Sequence, residues 1–417
     1  MEIRMLHRKT AIAVLCTLAI VVMPCDAAEN GVATEKNIFA DAARVVFLGD
    51  SITYAGGYID AIETWLLTRF PDRSVEIINL GLPSEMVSGL TEPDHPFPRP
   101  DVHERLDRAL AKTTPDVVIA CYGMNDGIYH PYSDERAAAY HAGLDRLIAE
   151  VDAAGAKLIL MTPPPFEPVS AGDSLVDAMA PEFGYKTPYR GYDDVITRYA
   201  RWLLDERREA VSGVIDLHGP LTEHLTAARR ADPDFTMTGD GVHPNPTGHW
   251  LIARCVVASF DEDDAADHTA AQWRDTDGDG DIDVRWNCRV PGPASPGAEV
   301  VSLGNCNLLE CGDHHVLRVS DTPAGSYRVF EGDTSLGTFT DVQLREGIDV
   351  RQINVASINQ AASELAGLVT ARQRLMRDAW LTHVGHLRPG IPKGLPLDLA
   401  RAESEKLTVQ IDVREES

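Results

Sequence analysis

Four short stretches of the 417-residue chain carry side chains able to do nucleophilic chemistry, and they lie far apart in sequence. They are Gly49-Asp50-Ser51-Ile52-Thr53, Asn79-Leu80-Gly81, Gly123-Met124-Asn125-Asp126 and Asp240-Gly241-Val242-His243-Pro244. A serine hydroxyl is a poor nucleophile until a neighbouring base takes its proton. An imidazole does this near neutral pH, provided a carboxylate fixes its tautomer and steadies the imidazolium. Asp240 lies three residues before His243, so both side chains can converge from one loop. The oxyanion of an acyl-transfer step also needs preorganised donors. Ser51 N–H, Gly81 N–H and the Asn125 carboxamide are the candidates.

Competing assignments exist for several neighbours. Asp50 suits a loop-fixing hydrogen bond, and Asp126 suits a hold on the Asn125 loop. Asp216 and His218 follow a strand and form a rival dyad, although strand-end placement favours a structural role. His249 opens a helix and reads as a packed histidine. Glu85 and Tyr129 flank the oxyanion stretches, a position that suits lining of the substrate cleft.

The elements that must position these residues are legible as alternating apolar runs and amphipathic stretches. Strands are expected at 45–48, 75–80, 116–122, 157–161 and 214–215, and helices at 59–70, 102–110, 137–151, 195–204 and 248–260. Five such βα units predict a parallel sheet covered by helices on both faces. Ligands of such sheets bind beyond the carboxyl ends of the strands, which is where the chemistry-bearing residues fall.

In that order and at those strand ends, the four stretches resemble the blocks of the SGNH/GDSL hydrolases over residues 44–260. The resemblance implies an α/β fold, a flavodoxin-like three-layer sandwich with a five-stranded parallel sheet. It also implies a Ser-His-Asp esterase that needs no catalytic cofactor. Carried over by position, Ser51 is the nucleophile, Asp240 and His243 complete the triad, and Ser51, Gly81 and Asn125 form the oxyanion hole. Ile52 stands where the family has Leu, a change that touches no chemistry.

The chain ends have a different character. Arg4, Arg8 and Lys9 precede an apolar run at 11–23, about 13 residues, the length of a secretory signal and short of the ~20 of a membrane span. A leader over residues 1–27, cut before Ala28, therefore predicts an exported protein, periplasmic or extracellular, with no integral membrane segment afterwards. A hydrolase domain at 28–262, an acidic linker and small β unit at 263–350, and a helical extension at 351–417 complete the expected layout. A formal net charge of −26 argues against a nucleic-acid partner, whose phosphates require clustered Lys and Arg. After leader removal Cys121 and Cys255 read as packing residues, and one disulfide among Cys288, Cys306 and Cys311 is compatible with an oxidising compartment.

These readings converge on a secreted carboxylic-ester hydrolase acting on a small-molecule or glycan ester, with acetyl on carbohydrate as the expected group. The alternatives are a lipid or lysophospholipid esterase, an acyltransferase, and a non-catalytic glycan-binding protein on the same fold. Separately, Asp275, Asp277, Asp279, Asp281 and Asp283 with Gly280 resemble the start of an EF-hand loop and predict a structural Ca²⁺ site. Trp286 occupies the twelfth position, where a bidentate Glu is wanted. Titration of Ca²⁺ and then EGTA should change the tryptophan emission; an unchanged spectrum at millimolar Ca²⁺ excludes the site.

Overall fold

In a computed structural model, the structure describes residues 2–8, 42–69, 74–259, 268–272, 282–285, 316–320, 322–331, 334–349 and 356–415. The apolar run at 11–23, Cys288, Cys306, Cys311, Trp286 and the Asp275, Asp277, Asp279 and Asp281 stretch lie outside them; of Asp283 only the backbone, in strand Ile282–Arg285, is described. The chain divides into two compact units, one built from residues 32–262, 295–311 and 364–417, the other from 1–31, 263–294 and 312–363.

The larger unit is organised by a five-stranded parallel sheet. Its strands are β1 (Arg44–Gly49), β2 (Glu76–Asn79), β3 (Val117–Cys121), β4 (Lys157–Met161) and β5 (Gly213–Ile215), ordered β2-β1-β3-β4-β5. Register places Val45 between Ile77 and Val117, and Ile119 beside Ile159. Strands covered on both faces must be apolar on both, and the side chains separate accordingly. Val46, Leu48, Val118 and Leu160 enter one core with Leu106, Leu144 and Val195. Val45, Phe47, Ile119 and Met161 enter the other with Ile59, Leu221 and Leu251.

The covering helices are α1 (Ser51–Ala55), α2 (Gly57–Arg69), α3 (Leu106–Thr113), α4 (Asp134–Ala153), α5 (Tyr192–Trp202), α6 (His218–Ala231) and α7 (Pro246–Ala258). This is the expected three-layer sandwich, with strand order 2-1-3-4-5 of the flavodoxin type. Helix α6 is absent from the sequence-based expectation. Its segment mixes His218, Gly219, Pro220, Thr222 and His224 among the leucines, which blurs the helical period that Leu221, Leu225 and Ala228 keep on the buried side.

The carboxyl-terminal helices are α8 (Ala356–Val384) and α9 (Leu397–Glu415). From residue 364 onward they belong to the same unit as the sheet, so the expected extension is a part of the hydrolase body. Trp380, Leu381 and Val384 join the core that holds Leu106 and Leu110. Buried Glu63 of α2 accepts a hydrogen bond from Arg372 and another from Gln373 Nε2 at 2.7 Å. The Gln373 amide also reaches Ile77 O, at 3.2 Å. Among the described residues no helix is long and apolar enough to cross a membrane.

The smaller unit holds two sheets. Strands Thr334–Thr340, Ser326–Glu331, Glu2–Arg8 and Ile282–Arg285 form an antiparallel sheet in that order. Strands Ile348–Asp349, Val316–Ser320 and His268–Gln272 form the second, the last pair parallel. Residues 2–8 thus take a sheet position where the sequence reading places the basic start of a leader.

Removing Arg372 strips the buried Glu63 carboxylate of its cation, and stranding a buried charge typically costs about 3–5 kcal/mol. Arg372→Ala should therefore lower the urea midpoint at pH 7 by the equivalent amount; a midpoint matching that of the unmodified chain would show that this pair does not anchor the extension.

Candidate active site

Strand β1 delivers its last residue, Gly49, to a sharp turn at which α1 begins. Asp50 caps that helix, accepting a hydrogen bond from Ile52 N at 2.8 Å. Ser51 is the first residue of α1, so its N–H has no partner within the helix and its side chain stands at the carboxyl edge of the sheet.

His243 arrives on a loop that hydrogen bonds knit into a ring. Asn245 N donates to Met237 O at 2.8 Å and Gly239 N to His243 O at 3.1 Å. Within it, Asp240 Oδ1 accepts from Val242 N at 3.0 Å and His243 N at 2.8 Å. Gly241 has φ +91°, a left-handed conformation that a side chain would strain, and a Cβ there would meet Ala171 at 2.8 Å. The loop is seated from below by buried Glu167, which accepts from Met237 N at 2.9 Å and from Arg229 at 2.7 Å.

The result is a continuous relay. Asp240 Oδ2 lies 2.7 Å from His243 Nδ1, and His243 Nε2 lies 2.9 Å from Ser51 Oγ. With Nδ1–H donated to the carboxylate, Nε2 is free to accept the hydroxyl proton. Partial burial opposes ionisation of Asp240, but the hydrogen bonds from the His243 ring and from the two N–H groups outweigh it, holding the carboxyl well below the usual range. The same Asp240 contact raises the His243 imidazole above its ordinary value, against the opposing pull of burial.

Asn125 sits at the end of β3 with its amide fixed in one orientation. Tyr129 Oη donates to Asn125 Oδ1 at 3.0 Å, and Asn125 Nδ2 donates to Glu85 O at 3.1 Å with Asp50 Oδ2 at 3.5 Å. Burial pushes the Asp50 carboxyl up to about 6, although the Ile52 N–H opposes it. Asp126 holds the loop after β2 onto this one, accepting from Val87 N at 3.0 Å and Ser88 N at 2.9 Å.

Gly81 is placed differently from its expected role. Its N–H donates to Asn79 Oδ1 at 2.9 Å, while Asn79 Nδ2 donates to Thr53 O at 2.7 Å. A Cβ at Gly81 would fall 2.3 Å from Tyr54 N, so the glycine permits the close approach of α1 and is buried beneath it. Three residues on, Ser84 has φ +69° and is partly exposed. Its N–H donates to no group among the described residues, and it directly precedes the Glu85 carbonyl that Asn125 touches. Sequence reasoning missed Ser84 because a non-glycine residue gives no sign of a left-handed backbone.

Other assignments resolve plainly. Glu85 does not line the cleft; its carboxylate is buried, taking Arg105 Nε at 2.6 Å, Arg105 Nη2 at 2.7 Å and Tyr122 Oη at 2.7 Å. Tyr129 is buried and serves Asn125. Asp216 and His218 are not partners. Asp216 accepts from Thr162 at 3.0 Å and Gly219 N at 3.1 Å, whereas His218 Nε2 faces Asp193 at 3.3 Å. His249 stacks on Tyr58, and burial drives its imidazole down to about 4, which suits a packed neutral ring.

The sequence matches the model of the GDSL-like lipase/acylhydrolase family over residues 47–251. No curated protein matches it. Among solved structures, the chain is similar to BT4096, described as a gut microbial diltiazem-metabolizing enzyme, at 18% identity and TM-score 0.58, covering 84% of this chain and 81% of that one. That likeness is one of fold. Axe2, an acetylxylan esterase from Geobacillus stearothermophilus, aligns at 22% identity and TM-score 0.37, over 53% of this chain and 95% of that one. The acetyl xylan esterase AlAXEase aligns at 22% identity and TM-score 0.37, over 52% and 98%. Residues 47–251, the segment that carries Ser51, Asn125, Asp240 and His243, form a domain of the GDSL-like lipase/acylhydrolase family.

Proposed function

We propose that the protein is an exported serine esterase that removes small acyl groups from hydrophilic alcohols, acylated carbohydrate being the substrate class. The observation that carries the reading is His243 standing 2.7 Å from Asp240 and 2.9 Å from Ser51. In the proposed reaction His243 Nε2 takes the Ser51 proton as Oγ attacks the ester carbonyl. The tetrahedral oxyanion is met by Ser51 N–H, the Asn125 amide and, in place of Gly81, Ser84 N–H. The protonated imidazole then gives its proton to the departing alkoxide, leaving an acyl-serine. Water activated by the same base hydrolyses that ester and restores the hydroxyl.

A small acyl group and a polar alcohol suit the surroundings. The His243 and Asp240 side chains are about half exposed, so the alcohol part of an ester can stay in water while its carbonyl meets Ser51. Export rests on the basic residues and apolar run at the amino terminus. A chain cut before Ala28 would lack the strand Glu2–Arg8. The structural Ca²⁺ is proposed on the Asp/Gly sequence alone.

Ser51→Ala should abolish release of p-nitrophenol from p-nitrophenyl acetate, by at least about 10⁴-fold in kcat, with an unchanged thermal unfolding curve. Retained turnover would remove Ser51 from its role. The pH profile supplies a second measurement. Only neutral His243 can accept a proton and its contact with Asp240 raises its pKa, so kcat/KM should climb through a single acidic limb centred above the ordinary histidine value of about 6.5. Asp240→Asn removes the raising partner, so that limb should move to lower pH while the plateau falls. A limb that stays in place would exclude His243 as the titrating base.

A further inference from the structure

Three successive carbonyls in the loop after β2 are held by side chains from three different parts of the chain. Asn125 takes Glu85 O at 3.1 Å, Arg99 Nη1 reaches Ser84 O at 3.5 Å, and Arg388 Nε takes Pro83 O at 2.6 Å. Arg388 comes from the carboxyl-terminal extension, just beyond α8, 305 residues from its partner.

The Pro83 carbonyl belongs to the same peptide group as the Ser84 N–H. A hydrogen bond accepted by a peptide oxygen polarises that amide and strengthens its N–H as a donor, more so when the bond comes from a cation. It also fixes the peptide plane, and with it the direction in which that N–H points. Ser84 needs such support, because a non-glycine residue at φ +69° is in a conformation that costs free energy unless its surroundings enforce it.

Arg388 is itself fixed for this task. Its Nη1 donates to Pro389 O at 2.7 Å and its guanidinium lies over the Phe97 ring, 5.2 Å from the centroid. No carboxylate among the described residues pairs with it, so its charge is not neutralised by a salt bridge and acts on the Pro83 oxygen.

We propose that Arg388, a positioning residue contributed by the carboxyl-terminal extension, orients and polarises the Pro83–Ser84 peptide so that Ser84 N–H serves as the third oxyanion donor. This inference rests on the esterase reading above. It makes the extension a functional component of the active site, because the hydrolase segment at 47–251 leaves that peptide without its cation.

The test uses the full chain and p-nitrophenyl acetate. Arg388→Ala should lower kcat by about 10- to 100-fold with KM changed less than about twofold, since the donor acts on the oxyanion and not on the bound ester. Arg388→Lys should recover part of the loss, and added guanidinium ion should partly rescue the alanine variant. Arg372→Ala, which loosens the docking of α8 at Glu63 far from this peptide, should lower the thermal midpoint while leaving kcat within about twofold. Equal kcat for Arg388→Ala and wild type overturns the proposal. So does a loss confined to KM, or one that Arg372→Ala reproduces in proportion to destabilisation. A wild-type chain that hydrolyses no ester and whose Ser51 resists a fluorophosphonate overturns the esterase reading and this inference with it; an active, labelled wild type beside an unaffected Arg388→Ala overturns the inference alone.

Discussion

A serine hydroxyl can lose its proton only to a base that is held still within hydrogen-bonding reach, and the placement of His243 is the constraint on which the site depends. The imidazole sits on a surface loop, the least favourable place for a fixed group. Its fixity comes from below. Glu167 anchors the start of the loop, the Asp240 carboxylate closes a turn over two successive N–H groups, and Asn245 caps α7 through its bond to Gly248 N at 2.9 Å. Asp240 thereby orients the ring chemically and shapes the backbone that carries it. One carboxylate serves both ends because its two oxygens divide the tasks, Oδ1 to the backbone and Oδ2 to the ring.

The opposite wall follows another logic. The loops after β2 and β3 are stitched by buried ionisable groups: Glu85 with Arg105 and Tyr122, Arg99 with Glu92 at 2.6 Å, and Asp126 with two backbone donors. Burying charge is costly unless every lone pair finds a partner. In return these groups hold irregular backbone at defined positions, which apolar packing alone does poorly. Asp50 and Asp126 are both pushed to about 6 by burial, so the wall behind Ser51 contains carboxyls that are reluctant to ionise.

The sheet and most of its helices were legible in the sequence, because a doubly covered parallel sheet writes itself as apolar runs separated by amphipathic ones. Ser51, Asn125, Asp240 and His243 were legible for a related reason: each follows a strand or precedes a helix, and the structure brings Ser51 to the pair that the spacing of Asp240 and His243 implied. Gly81 and Ser84 mark the boundary of that method. A glycine in sequence announces freedom of backbone without saying whether the freedom serves a ligand or a neighbouring helix; here it serves α1. The roles of Glu85 and Tyr129 likewise depended on partners 20 and 4 residues away whose directions no local pattern encodes.

The contact between Glu63 and the residues of α8 spans 310 positions of sequence. During synthesis Glu63 leaves the ribosome 310 residues before Gln373, and until then a carboxylate destined for burial remains without its mates. Closure of such a distant pairing is entropically late. The last helices therefore complete both the burial of Glu63 and the core that Trp380, Leu381 and Val384 enter, and a chain truncated ahead of them leaves both unfinished.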